Sequence, residues 1–395
     1  MKLFAVSGSG NLTQSLGNPK IQQQLAMFNG VMIGLWNIQT NMTGVCAGIK
    51  SFNPSCVVGQ YTILEECQSP VNPYNIDADK TNYLTNNNHW LLVNGSKVAS
   101  FPGNYLTDMS QIYAEWLAQR DYDTFFAPAK QTTPFDFQFL DNVRDSSLAG
   151  DGTSPIPQAT YQAGNKYQWA KIRTINPSIK LFANAACDMS VYPQLCDHAL
   201  YEGAIAPSLS WSAINAGWNN VITGYTARIA NVKPGGIVAL QAQGALTDYK
   251  LMRFALTTTL LYDGYFAYTD IAVGAVVPPW YEEYNVDLGA ALGACFQIGS
   301  TGVWRRNYTN GIVLCNSNVS TPVTTTIESG YQAIAGVQPY NNGSPITNVL
   351  LQGYDGIVLL KTPGGPPPTP SYGPARRSQL RRGPAGYRLR PSQAR

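Results

Sequence analysis

Charge and histidine are both scarce in this chain. Asp, Glu, Lys and Arg make up only 12% of its 395 residues, and the only histidines are His89 and His198. Hydrolysis by an imidazole-assisted Ser or Cys would have to use one of those two. Neither has a nucleophile motif such as GxSxG beside it, so that class is disfavoured. The seven cysteines form no CxxC pair, which argues against a zinc site, although a carboxylate-only calcium site in a loop stays open. Cys56 with Cys67 and Cys187 with Cys196 are candidate disulfides, and free buried thiols are the equal alternative. No hydrophobic run approaches the length of a membrane span. The start, MKLFAVSGSGNL, carries too short an apolar run for a signal peptide. No Gly-rich phosphate loop follows any strand-like segment, and no organic cofactor or metal centre is expected.

The formal charge of +3 misleads about partners. Arg376, Arg377, Arg381, Arg382, Arg388, Arg390 and Arg395 all lie in the last twenty residues with no acid among them, and without these seven the remainder stands near −4. A nucleic-acid partner for the folded body is therefore disfavoured, because phosphate binding needs a basic face on the fold itself. A surface rich in Asn, Gln, Ser, Thr and Tyr suits an extracellular or cell-surface protein and the handling of carbohydrate. The oligomeric state is not legible from the sequence.

At 44% hydrophobic residues the chain is long enough and apolar enough for a full core. Eight apolar β-type runs recur: KLFAVS (2 to 7), GVMIGLW (30 to 36), CVVGQYTI (56 to 63), FDFQFLDNV (135 to 143), KLFANAA (180 to 186), LYEGAIA (200 to 206), GIVALQAQ (236 to 243) and GYFAYTDI (264 to 271). Helix-period segments separate most of them, after Pro19, from Thr40, Ser110, Thr160, Trp211 and Tyr249, with only a short helix expected near Tyr192 to Leu195. Strand and helix in alternation predict right-handed crossovers onto a parallel sheet, and eight units match a (β/α)8 TIM barrel. An open doubly wound sheet is the alternative. Between Glu65 and Gly103 the pattern breaks, and Asn94-Gly95 between apolar runs predicts a hairpin. Short alternating strands from Gly299 predict a small C-terminal antiparallel β-sandwich module, and the segment after Lys361 is rich in Pro, Gly and Arg. The expected organisation is a barrel over 1–298, a β module over 299–361 and a disordered tail over 362–395.

Catalytic side chains collect at the carboxyl ends of barrel strands. Asp141 and Asn142 end the fourth run and Glu202 lies in the sixth. A pair of carboxylates there fits glycosidic bond hydrolysis, in which one acid protonates the leaving oxygen and the other attacks or activates water. Apolar neighbours suit Glu202 to the acid's role, with Asp141 as nucleophile or base. The competing readings are a loop cap for Asp141 and a salt bridge for Glu202. Asn142 and Asn184 are candidates to hold sugar hydroxyls or orient the acids, Asp270 is a third acid or a cap, and Arg144 either faces Asp141 or solvent. Tyr61, Tyr201, Trp211, Tyr268 and Trp280 lie at or after strand ends, where rings stack on sugars, though aromatics more often fill cores.

HWLLVNGSKVASFPG followed by YAEWLAQ, then FQFLDNV, LFANAA, LYEGAI, WYEEYNVDLGAA, GVWRRNYTNGIVLCN and GYDGIVLLK, in that order, resemble hypothetical glycosyl hydrolase family 15. More distantly they resemble α-polygalactosaminidase-type barrels. The resemblance spans residues 1 to 361. It implies a glycan-cleaving (β/α)8 barrel with a terminal β-sandwich, a class and not a substrate; the reading adopted on these residues is cleavage of a polysaccharide or exopolysaccharide. The other class consistent with these residues is a non-catalytic glycan-binding or surface/virion structural protein on the same scaffold.

Overall fold

The eight apolar runs become eight parallel strands: β1 (Phe4–Val6), β2 (Gly30–Ile33), β3 (Val57–Ile63), β4 (Phe137–Val143), β5 (Lys180–Ala185), β6 (His198–Ile205), β7 (Val238–Gly244) and β8 (Tyr265–Asp270). In this computed structural model, which describes residues 1–6, 16–34, 42–69, 78–131, 133–270 and 278–362, the strands pair in chain order. A parallel bridge between Leu3 and Phe266 joins the last strand to the first and closes the barrel. The tail expected to be disordered lies, from residue 363, outside the described residues.

Helices cover the outside: α1 (Pro19–Leu25), α2 (Thr43–Phe52), α3 (Ala78–Asn86), α4 (Gln111–Asp121), α5 (Gln158–Ile175), α6 (Trp218–Asn231) and α7 (Tyr249–Leu260). Their starts follow local chemistry. Asn18 caps α1 with Pro19 in its first turn, Ser110 caps α4 by accepting from the Tyr113 N–H, and Asp248 caps α7 through the Leu251 N–H. Two helix expectations change. The segment near Tyr192 to Leu195 is a pair of turns, closed by Tyr192 N–H to Met189 and Leu195 N–H to Tyr192. Pro193 lacks a donor there and Gln194 takes a positive φ of 56°, so a helix cannot propagate. The segment from Trp211 opens as a 3-10 turn at Ala213–Ala216, and Gly217 at φ 97° separates it from α6.

Strand alternation sorts the side chains into two layers. Leu140, Ala183, Leu240 and Phe266 face the helices in the main core, while Phe4, Phe137, Phe139, Phe182, Leu200, Ala239 and Ala267 fill the barrel interior. The interior rings pack closely, with Phe182 centroids 4.8 Å from Phe4, 4.9 Å from Phe137 and 5.5 Å from Phe139. Gly59 makes room for them: a Cβ there would sit 1.9 Å from the Phe137 ring. The result is an apolar plug beneath the strand ends.

Between β3 and β4 the chain forms a three-stranded antiparallel sheet from Glu66–Gln68, Asn104–Leu106 and Ala99–Phe101. The expected hairpin joins Leu92–Val93 to Ser96–Lys97 across Asn94 and Gly95, both at positive φ. Beyond the barrel, Phe296–Gln297, Val303–Asn307, Gly311–Asn316, Asp355–Lys361 and Tyr331–Ala333 form one antiparallel sheet, and Val323–Thr326 pairs with Asn348–Leu351 in a second. Ile312, Leu314, Val349, Leu351 and Leu359 fill the space between them. The module packs on α7, where Arg253 pairs with the fully buried Asp355 at 2.9 Å and Tyr354 stacks on Phe254.

Candidate active site

Above the aromatic plug, the next inward-facing positions of β4, β5 and β6 are Asp141, Asn184 and Glu202. One side-chain nitrogen ties them together. Asn184 Nδ2 donates to Asp141 Oδ1 at 2.7 Å and to Glu202 Oε2 at 2.8 Å. Those two carboxylate oxygens therefore lie no farther apart than the two bonds laid end to end, 5.5 Å. The amide NH2 has two protons, one for each carboxylate, which the amide oxygen could not supply. The second Asp141 oxygen accepts from the Tyr61 hydroxyl at 2.6 Å.

Both acids sit where the ladder slips. The β4–β5 register shifts between Leu140 and Val143, where Asn142 adopts a left-handed φ of 56°. The β6–β7 register shifts between Tyr201 and Ile205, where Gly203 has φ 55°. Such bulges re-aim side chains at strand ends. Gln241 on β7 fixes the second one, since its Oε1 accepts the Gly203 N–H at 3.0 Å while its Nε2 donates to Thr269 Oγ1 at 2.9 Å.

Glu202 is open to solvent on one side and walled by protein elsewhere. That crowding pushes its carboxyl up to about 6, with the Asp141 charge adding to the rise, while the Asn184 hydrogen bond and the Arg144 guanidinium pull it back. Burial, followed by the Asp141 charge and hydrogen bond, raises the Tyr61 hydroxyl well above its ordinary value, so Tyr61 acts as a donor.

Of the other residues expected here, Asn142 uses its side chain to accept from Arg144 Nη2 at 3.0 Å. The Tyr61 ring is buried and places its hydroxyl, not its face, at the site. Trp211 is 55% exposed, and its ring lies over Gly203 beside Glu202, where an added Cβ would be 2.4 Å away. Tyr201 points outward from β6 under the Arg228 guanidinium, 3.6 Å from the ring centroid. Tyr268 is buried on the helix side of β8 with its hydroxyl on the Ala245 carbonyl. Asp270 is buried on the same face by strand alternation. Trp280 packs edge-on against Phe28, which precedes β2 at the opposite end of the barrel. Tyr201, Tyr268, Asp270 and Trp280 are thus not brought together with the two acids.

Two acids were missed in the sequence. Glu65 and Glu66 come just after β3, beyond Leu64, and are buried. Glu65 Oε1 accepts the Leu148 N–H at 3.2 Å, its Oε2 lies 3.2 Å from the Tyr161 hydroxyl, and Ser100 donates to Glu66. Burial pushes Glu65 up to about 7 and Glu66 up to about 6. The signal was the strand-end position itself, TILEEC, obscured by the irregular segment after it. The histidines stand apart from this site. His198 Nδ1 accepts the Ile237 N–H and burial lowers it to about 4. Asp108 and Ser110 both contact the same His89 nitrogen, so the ring does not relay between those two. All seven cysteines are free, six of them buried.

Two carboxylates bridged at the carboxyl-end mouth of a parallel barrel are an arrangement compatible with glycosidic-bond chemistry. The model of hypothetical glycosyl hydrolase family 15 matches residues 50–312, and the chain belongs to that family, a glycoside hydrolase family. The fold is similar to an Anoxybacillus α-amylase (10% identity, TM-score 0.48, covering 92% of this chain and 98% of that one). It is also similar to the maltogenic α-amylase AmyB of Thermotoga neapolitana (12%, 0.49, 90% and 98%) and to the glycoside hydrolase domain of PelA from Pseudomonas aeruginosa (14%, 0.45, 69% and 97%). No curated protein matches the chain in sequence. No helix among the described residues is long and apolar enough to cross a membrane.

Proposed function

We propose that the chain cleaves O-glycosidic bonds of a polysaccharide or exopolysaccharide with Glu202 as general acid and Asp141 as nucleophile. The observation that carries this reading is the Asn184 amide nitrogen bound to both carboxylates, which holds their nearest oxygens within 5.5 Å. A separation of roughly 5–5.5 Å fits a retaining mechanism, and one of 6.5 Å or more leaves room for an inverting water. The acid role is given to Glu202 because burial, with the Asp141 charge added, pushes its carboxyl up to about 6.

In the first step Glu202 protonates the bridging oxygen as Asp141 attacks the anomeric carbon. The carbon–oxygen bond to the leaving sugar breaks and a glycosyl ester on Asp141 forms. In the second, Glu202, now a carboxylate, takes a proton from water, whose oxygen displaces Asp141 and releases the sugar. Tyr61 and Asn184 orient Asp141 from both of its oxygens, and the exposed Trp211 ring, which lies over Gly203 next to Glu202 in the chain, is offered as a face for a sugar.

The test is hydrolysis of a polysaccharide panel by wild type, Asp141→Asn and Glu202→Gln, with folding checked by circular dichroism. Loss of at least about a thousandfold in kcat for each folded variant, and a first-formed product with the anomeric configuration of the substrate by NMR, are the expected results. Activity unchanged in either variant overturns the assignment.

A further inference from the structure

The Asp141 turn is held from behind by a group outside the proposed pair. Tyr161, fully buried on α5, places its hydroxyl 2.7 Å from the Asn142 carbonyl and 3.2 Å from Glu65 Oε2. A phenol has one proton, so it cannot donate to both at once. When Glu65 carries its own proton, Glu65 donates to the Tyr161 oxygen and Tyr161 donates to Asn142, and each group in the chain has a partner. When Glu65 is ionised it competes for the Tyr161 proton, and the Asn142 carbonyl loses its donor.

We propose that Glu65, in its carboxylic-acid form, is a positioning residue that acts through Tyr161 to hold the left-handed Asn142 turn and so to aim Asp141 at the substrate. The step from turn to catalysis rests on the reading of Asp141 as nucleophile. Asn142 stands at φ 56°, a conformation asparagine tolerates better than most side chains but that still costs energy, so a hydrogen bond to its carbonyl helps to hold the turn. The charged and titratable groups facing Glu65 are Arg144, which favours its ionised form, Glu66, which opposes it, and Tyr161. Burial outweighs them and keeps the proton on to about pH 7.

The test compares Glu65→Gln and Tyr161→Phe with wild type. Gln keeps an oxygen for the Leu148 N–H and supplies a permanent N–H to Tyr161. The Gln variant is expected to match wild-type kcat at pH 5.5 within about twofold and to retain roughly tenfold more of that activity at pH 8. Tyr161→Phe is expected to lose about 10- to 100-fold in kcat with KM nearly unchanged. Hydrogen exchange of peptides spanning residues 139–146, corrected for intrinsic rates, supplies a readout independent of activity. Protection should fall between pH 6 and 8 in wild type and stay flat in Glu65→Gln. Exchange that is indifferent to Glu65→Gln overturns this inference even where both carboxylate variants are inactive. pH-dependent exchange in a protein with no glycosidase activity would retain the Glu65–Tyr161 link and overturn the reading of Asp141 as nucleophile.

Discussion

Asn184 makes two demands on one amide group, and they pull the acid in a known direction. Its hydrogen bond to Glu202 favours the carboxylate, while crowding and the Asp141 charge favour the protonated form. A general acid must start protonated, so activity should fall as pH rises through about 6. In Asn184→Ala the bond that lowers Glu202 is gone, the carboxyl holds its proton to higher pH, and the alkaline limb of kcat/KM should move upward. The loss of orientation should lower kcat by about 10- to 100-fold over the whole range. A pH–rate profile of the variant checks both, and a limb that moves downward contradicts the role given to the amide.

The strands β4 and β6 do more than deliver residues to the mouth. Each carries a left-handed residue at its slip, Asn142 in one and Gly203 in the other, directly after an acid that strand alternation already turns into the barrel. Gly203→Ala should cost about 1–2 kcal/mol from its φ of 55°. Contact with Trp211 adds less, because that exposed ring can shift. A thermal melt together with kcat for the Ala variant tests the argument: activity should fall more than stability explains, since the bulge and not the core is disturbed.

For the whole molecule, we propose that barrel and module fold as one unit joined across α7, with the module's sheet beginning at Phe296, inside the span 1–298 expected for the barrel. Arg253 and Asp355 meet in that contact with almost no exposure, and burial pushes the Asp355 carboxyl up while Arg253 pulls it down. Arg253→Met should cost about 3–5 kcal/mol, because it leaves a buried carboxyl unpaired, and Asp355→Leu added to it should recover most of that. Denaturant unfolding of the two variants measures the difference. Equal loss in both would mean that packing and not charge holds the module.

Periodicity determined much by itself. Eight apolar runs separated by helical segments led to the barrel, and Asp141, Asn184 and Glu202 were legible because strand ends are where barrel side chains meet substrate. The Asn94-Gly95 hairpin was legible because few dipeptides suit its turn. Only tertiary structure decided which neighbours face the mouth, because one residue of register separates the barrel interior from the helix layer. Tyr201 and Tyr268 fell on the outer face for that reason, and Asp270 by the same alternation. The Glu65–Tyr161–Asn142 chain joins the end of β3, helix α5 and a bulge in β4, so no local pattern announces it. The raised carboxyls likewise depend on how much protein surrounds each one, and that is set when distant segments pack together.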